Sequence, residues 1–139
     1  MAESASSRRG PVPVAEGEEP WTPEELDEVR DDLLFDVQRM ERALETSARG
    51  LERLFDETAE GAGRDPADVG SSNFERDQEM SLAQNARELL EQSQTALRRF
   101  DAGQYGRCES CGSPIGKDRL MVFPRATMCV ACKQREERR

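Results

Sequence analysis

The sequence predicts a mainly α-helical protein, a long antiparallel helical hairpin with a small four-cysteine module at its C-terminal end. Three observations carry that expectation. Apolar residues recur at helical spacing from residue 26 to residue 55, a second helical stretch follows a Gly-containing break, and two C-x-x-C pairs lie near the end of the chain.

The first helix has an unusually complete start signal in WTPEEL, residues 21–26. Thr22 suits the N-cap, Pro23 the first helical position, Glu25 closes a capping box, and Trp21 can staple onto Leu26. Beyond it Leu26, Val29, Leu33, Val37, Met40, Leu44, Ala48, Leu51 and Phe55 repeat at spacings of 3-4-4, an eleven-residue period. That period averages about 3.67 residues per turn and predicts a straight or slightly right-handed pairing. At 1.5 Å per residue such a helix is roughly 55 Å long. Gly61 and Gly63 then supply stop signals.

A second helix is expected from Ser72, with Ser72 and Glu75 as another capping box, to about Phe100. Leu82, Ala86, Leu89, Leu97 and Phe100 share one face, Leu90 and Ala96 lie beside it, and polar Ser93 interrupts it. The connecting loop, about residues 59–71, forms the tip. It holds Asp65 and Asp68, three residues apart, with Pro66 and Gly70 as turn residues.

Composition agrees with an extended helical protein. Of 139 residues, 35% are apolar and 35% charged, too few apolar groups for a large spherical core. Residues 1–21 are rich in Ser, Pro, Gly and Glu without an apolar period, and are expected to be a disordered N-terminal tail. The hairpin is then residues 22–103 and the module residues 104–139. Charge is uneven: residues 1–100 carry −12 and residues 101–139 carry +3. An acidic body does not grip nucleic-acid phosphates; it suits a basic groove in a protein partner, and charge alone fits a simply solvated helical surface equally well. No apolar run approaches a membrane span or a signal-peptide core, so a cytoplasmic protein without membrane association is expected.

CESC, residues 108–111, and CVAC, residues 129–132, are separated by seventeen residues. Two such pairs suit tetrahedral thiolate coordination of one Zn²⁺ by Cys108, Cys111, Cys129 and Cys132. Two disulfides or a redox pair are the alternatives, the first disfavoured without a secretory signal and the second by the matched second pair. With four sulfur ligands no position is left for water, so the zinc is expected to be structural. Leu120, Val122 and Phe123 are expected to pack on the hairpin base, and a short basic helix to follow Cys129. The exposed tip carboxylates lack the burial that tunes acid–base catalysts, and no enzyme is expected.

These residues also carry a resemblance. YGRCESCGSPIGKDRLMVFPRATMCVACK resembles the C4 zinc finger of the DksA/TraR family, with the pattern YGxCxxCGxxIxxxRLxxxPxxxxCxxCK. PADVGSSNFERDQEMSL is similar to the PADxGxxxFERxxxxxL stretch of shorter-tipped members, and the resemblance covers about residues 22–135. It implies a coiled-coil hairpin with a C4 zinc finger and a short terminal helix. It further implies a protein that binds bacterial RNA polymerase, not promoter DNA, and inserts the hairpin into the secondary channel to modulate initiation; a monomer is expected. The family tip D-x-x-D-x-A corresponds to Asp65-Pro66-Ala67-Asp68-Val69-Gly70, which keeps both acids and places Gly70 where Ala is usual. From the residues alone, two other readings stay open: a nucleic-acid-binding finger using Arg135, Arg138 and Arg139, and a coiled-coil adaptor for another protein.

Overall fold

The computed structural model describes residues 11–60 and 66–138. Four helices follow one another: α1 Pro23–Glu60, α2 Pro66–Asp101, α3 Lys117–Val122 and α4 Val130–Glu137. Among the described residues there is no strand, only one isolated antiparallel bridge between Arg107 and Pro114. Arg30 near the start of α1 pairs with Asp101 at the end of α2, so the two long helices run antiparallel. The fold is the expected helical hairpin with a C-terminal finger.

The start of α1 is as the sequence predicts. The Thr22 N–H donates to Glu25 Oε1 at 2.9 Å and the Glu25 N–H donates to Thr22 Oγ1 at 3.1 Å, closing the capping box. Pro23 then loses nothing by lacking an N–H at the first helical position.

The chain divides into two compact units, Met1–Val37 with Glu91–Arg139, and Gln38–Leu90. The first has a core of Val29, Leu33, Ala96, Phe100, Tyr105, Cys108, Ile115, Leu120 and Cys132. The Phe100 and Tyr105 rings pack tilted at 57° with centroids 5.3 Å apart. The Arg30 guanidinium grips both Asp101 carboxylate oxygens, at 3.0 and 3.2 Å. In the second unit Met40, Leu54, Ala83 and Ala86 are buried with Ser47.

The buried seam corrects the eleven-residue period. Leu33, Met40, Ser47 and Leu54 are buried at intervals of seven, with Val37, Leu44 and Leu51 half-buried between them. On α2, Ala86, Ser93 and Phe100 repeat the same interval, flanked by Ala83, Leu90 and Leu97. Seven is the period of a left-handed coiled-coil seam. Ala48, Phe55 and Leu82 therefore turn outward, and Ser93, expected to interrupt the face, lies in the seam at 1% exposure. Small side chains let two helices approach closely, whereas a Phe at the same place would hold them apart.

Two further expectations change. Helix α2 begins at Pro66, not at Ser72, so residues 66–71 of the expected loop are helical and Gly70 adopts no left-handed conformation. Proline at the first helical position, after an Asp in sequence, is itself a start signal, and it outcompetes the later box. Residues 11–20, expected to belong to a disordered tail, are placed and packed against the finger: Val12 joins the partly buried set around the core. Their ordering comes from contacts with residues about a hundred positions away, which composition does not register.

Candidate functional site

The finger is assembled from two knuckles. In the first, Gly106 (φ +86°) and Gly112 (φ +78°) turn the backbone through a region that side chains disfavour. The Ile115 N–H donates to the Gly106 carbonyl at 2.8 Å, and the Cys108 N–H to the Ser113 carbonyl at 2.8 Å. That loop presents Cys108 and Cys111 on one side. In the second, Cys129 is the N-cap of α4 and Cys132 lies in its first turn. The Glu109 N–H donates to the Thr127 carbonyl at 2.8 Å, and the Thr127 hydroxyl to Glu109 Oε1 at 3.1 Å, joining the knuckles. Arg99 of α2 donates to the Arg107 carbonyl at 2.8 Å and ties the finger to the hairpin base, while the Tyr105 hydroxyl donates to the Pro124 carbonyl at 2.8 Å and braces the finger internally.

The four sulfur atoms all lie within 4.8 Å of one another, and those of Cys111 and Cys129 are 3.8 Å apart. A tetrahedron with Zn–S bonds of about 2.3 Å has sulfur–sulfur edges of about 3.8 Å. A disulfide requires about 2.05 Å, and all four cysteines are free. The donor set, four soft sulfurs at tetrahedral spacing, fits one structural zinc ion and leaves no open position.

The thiols are not equivalent. Burial alone would raise Cys108, but the N–H groups of Cys129, Cys111 and Ser110 aimed at its sulfur win and hold it at about 6. Cys111 is lowered, first by the Ser113 hydroxyl. Burial instead pushes Cys132 up to about 11. Cys108 is therefore the readiest thiolate near neutral pH, whereas Cys132 would have to lose its proton to solvent on ligating zinc, so that metal binding would release protons. Arg135 Nη2 donates to Cys132 Sγ at 3.3 Å and offsets part of the charge that coordination creates.

Of the apolar finger residues, Leu120 is fully buried, as expected, whereas Val122 is 69% and Phe123 46% exposed. Helix α3 is one and a half turns long, so a single face reaches the base. The expected terminal helix is present as α4, although its two basic residues, Lys133 and Arg135, are balanced by Glu136 and Glu137. Of the tip acids, Asp65 lies outside the described residues. Asp68 lies in the first turn of α2. Sequence reasoning missed Glu18, whose carboxylate caps α3 by accepting from the Lys117 and Asp118 N–H groups at 2.8 and 2.9 Å.

A long helical hairpin followed by a four-cysteine zinc finger defines the class of protein to which this chain belongs. The family model for the prokaryotic dksA/traR C4-type zinc finger matches residues 103–138. The chain is 40% identical over 99 residues to the RNA polymerase-binding transcription factor DksA of Caulobacter vibrioides, covering 71% of this chain and 68% of that protein. It is 30% identical over 93 residues to the Haemophilus influenzae protein of the same description, covering 67% and 63%. The solved structure of transcription factor DksA2 from Pseudomonas aeruginosa superposes with a TM-score of 0.65 at 32% identity, covering 84% of this chain and 85% of that one. The chain belongs to the DksA/TraR family.

Proposed function

We propose that this protein is a cytoplasmic, monomeric transcription regulator that binds bacterial RNA polymerase and acts without covalent chemistry. The observation that carries this reading is the likeness to relatives described as RNA polymerase-binding, which reaches through hairpin and finger alike. One zinc, held by Cys108, Cys111, Cys129 and Cys132, keeps residues 104–139 folded against the base. The acidic hairpin is drawn toward a basic channel of the polymerase and enters the secondary channel, while the finger-bearing base docks at its rim. Asp68, helped by Asp65, then perturbs initiation complexes through charge near the catalytic centre. A nucleic-acid-binding finger is less well supported, since α4 carries as many acids as bases.

The test is direct association. Zinc-loaded full-length protein mixed with purified bacterial RNA polymerase should co-elute in gel filtration, and should not shift duplex DNA at the same concentration. Binding to DNA with none to polymerase would overturn the reading.

A further inference from the structure

Residues 11–22 precede the hairpin helices and supply no cysteine, yet besides packing Val12 and Trp21 on the core they grip the finger at both ends of its first knuckle. At one end a methyl group built on Gly106 would lie 2.6 Å from Val12 Cγ1 and 3.3 Å from Pro13 Cδ, so the strand of chain lies directly on the turn that precedes Cys108. At the other end Gly116 (φ +109°) passes beneath Ala15 and Glu18, whose nearest atoms are 3.7 to 3.8 Å from the same test position. The Glu18 carboxylate accepts three backbone N–H groups, those of Ala15, Lys117 and Asp118, at 2.6, 2.8 and 2.9 Å. Lys117 extends the hold: its Nζ donates to Glu25 Oε1 at 2.9 Å and to the Pro20 carbonyl at 3.4 Å, and sits 5.5 Å from the centre of the Trp21 ring.

The consequence follows from how a closed site loses metal. A four-sulfur zinc has no free coordination position, so a competing chelator must wait for a knuckle to open. The first knuckle opens by separating its ends, Gly106 and Gly116, and both ends lie under this segment. Charge-assisted hydrogen bonds from two successive N–H groups to one carboxylate resist that separation.

We propose that residues 11–22 form a clasp that keeps the first knuckle closed and slows zinc loss, with Glu18 as the residue that fastens it. The clasp is a property of this chain's own N-terminal segment and stands whether or not the protein binds polymerase. Zinc release from full-length protein to excess chelator, read with a metal-sensitive dye, tests it together with hydrogen exchange at the Lys117 and Asp118 amides. Glu18→Ala should speed both release and exchange by about tenfold or more, in line with the loss of charged hydrogen bonds. Glu18→Gln, which keeps size and one acceptor, should fall between the two and guards against a folding defect. Glu19→Gln makes the same change of net charge at an exposed neighbour and should match the parent. Unchanged zinc release in Glu18→Ala, or equal acceleration in Glu19→Gln, would overturn the proposal.

Discussion

The difference between a seven-residue and an eleven-residue seam is greatest in side-chain size at one pair of neighbours, Leu54 and Phe55. Leu54 is 4% exposed and Phe55 54% exposed. Replacing a buried Leu with Ala costs about 2 to 5 kcal/mol, and the low end applies here because a two-helix seam can close partly over the gap. We expect about 2 to 3 kcal/mol for Leu54→Ala. Full burial of a Phe side chain is worth about 1.5 to 3 kcal/mol, and Phe55 keeps about half its surface in water, so Phe55→Ala should cost about 1 kcal/mol or less. The larger residue is thus the cheaper one to remove. Urea unfolding of the zinc-loaded protein followed by far-ultraviolet circular dichroism reads both changes, with a shifted midpoint at unchanged slope marking a true stability effect. A greater loss for Phe55→Ala than for Leu54→Ala would refute the heptad assignment and restore the eleven-residue stripe.

Removing zinc with a strong chelator at neutral pH should unfold the finger while retaining most of the helical signal, since α1 and α2 keep their own seam; metal analysis of the folded protein should return one zinc per chain. Acid should weaken the clasp. The Glu18 carboxyl is held below the usual value of 4.5 by the Asp118, Lys117 and Ala15 N–H groups, and Glu25 is lowered first by Lys117 and then by Thr22. A carboxylate with a lowered folded value contributes stability that is complete above the unfolded value and is lost as pH falls through the folded one. The stability difference between the parent and Glu18→Gln should accordingly stay constant above about pH 5 and shrink below about pH 4.5, as thermal unfolding across pH would show.

What the sequence made legible was local. The two C-x-x-C pairs announce their chemistry because each knuckle is a short loop whose geometry its own residues dictate, and Thr22 with Glu25 encodes a helix start within four positions. The seam was displaced by one residue because hydrophobic spacing favours large side chains such as Phe55 and Leu82. Close helix approach instead selects Ser47, Ala83 and Ser93. The start of α2 was ambiguous because Pro66 and Ser72 are both valid beginnings, and only packing decides between them. Glu18 was invisible for a different reason: its partners are backbone N–H groups of Lys117 and Asp118, which any residue but proline would supply.

The reading that acidic residues at the hairpin end act inside the polymerase is tested most directly by Asp65→Asn/Asp68→Asn. The double substitution removes two charges and almost no volume, and a pair of turn or helix-start residues with no further role is expected to tolerate it with little change in stability. Purified variant should bind zinc as the parent does and bind RNA polymerase within about threefold of it, a difference of roughly 0.65 kcal/mol. Measured by transcription in vitro from a responsive promoter, it should have lost the parent's effect. A variant that binds polymerase and still alters transcription as the parent does would contradict the account.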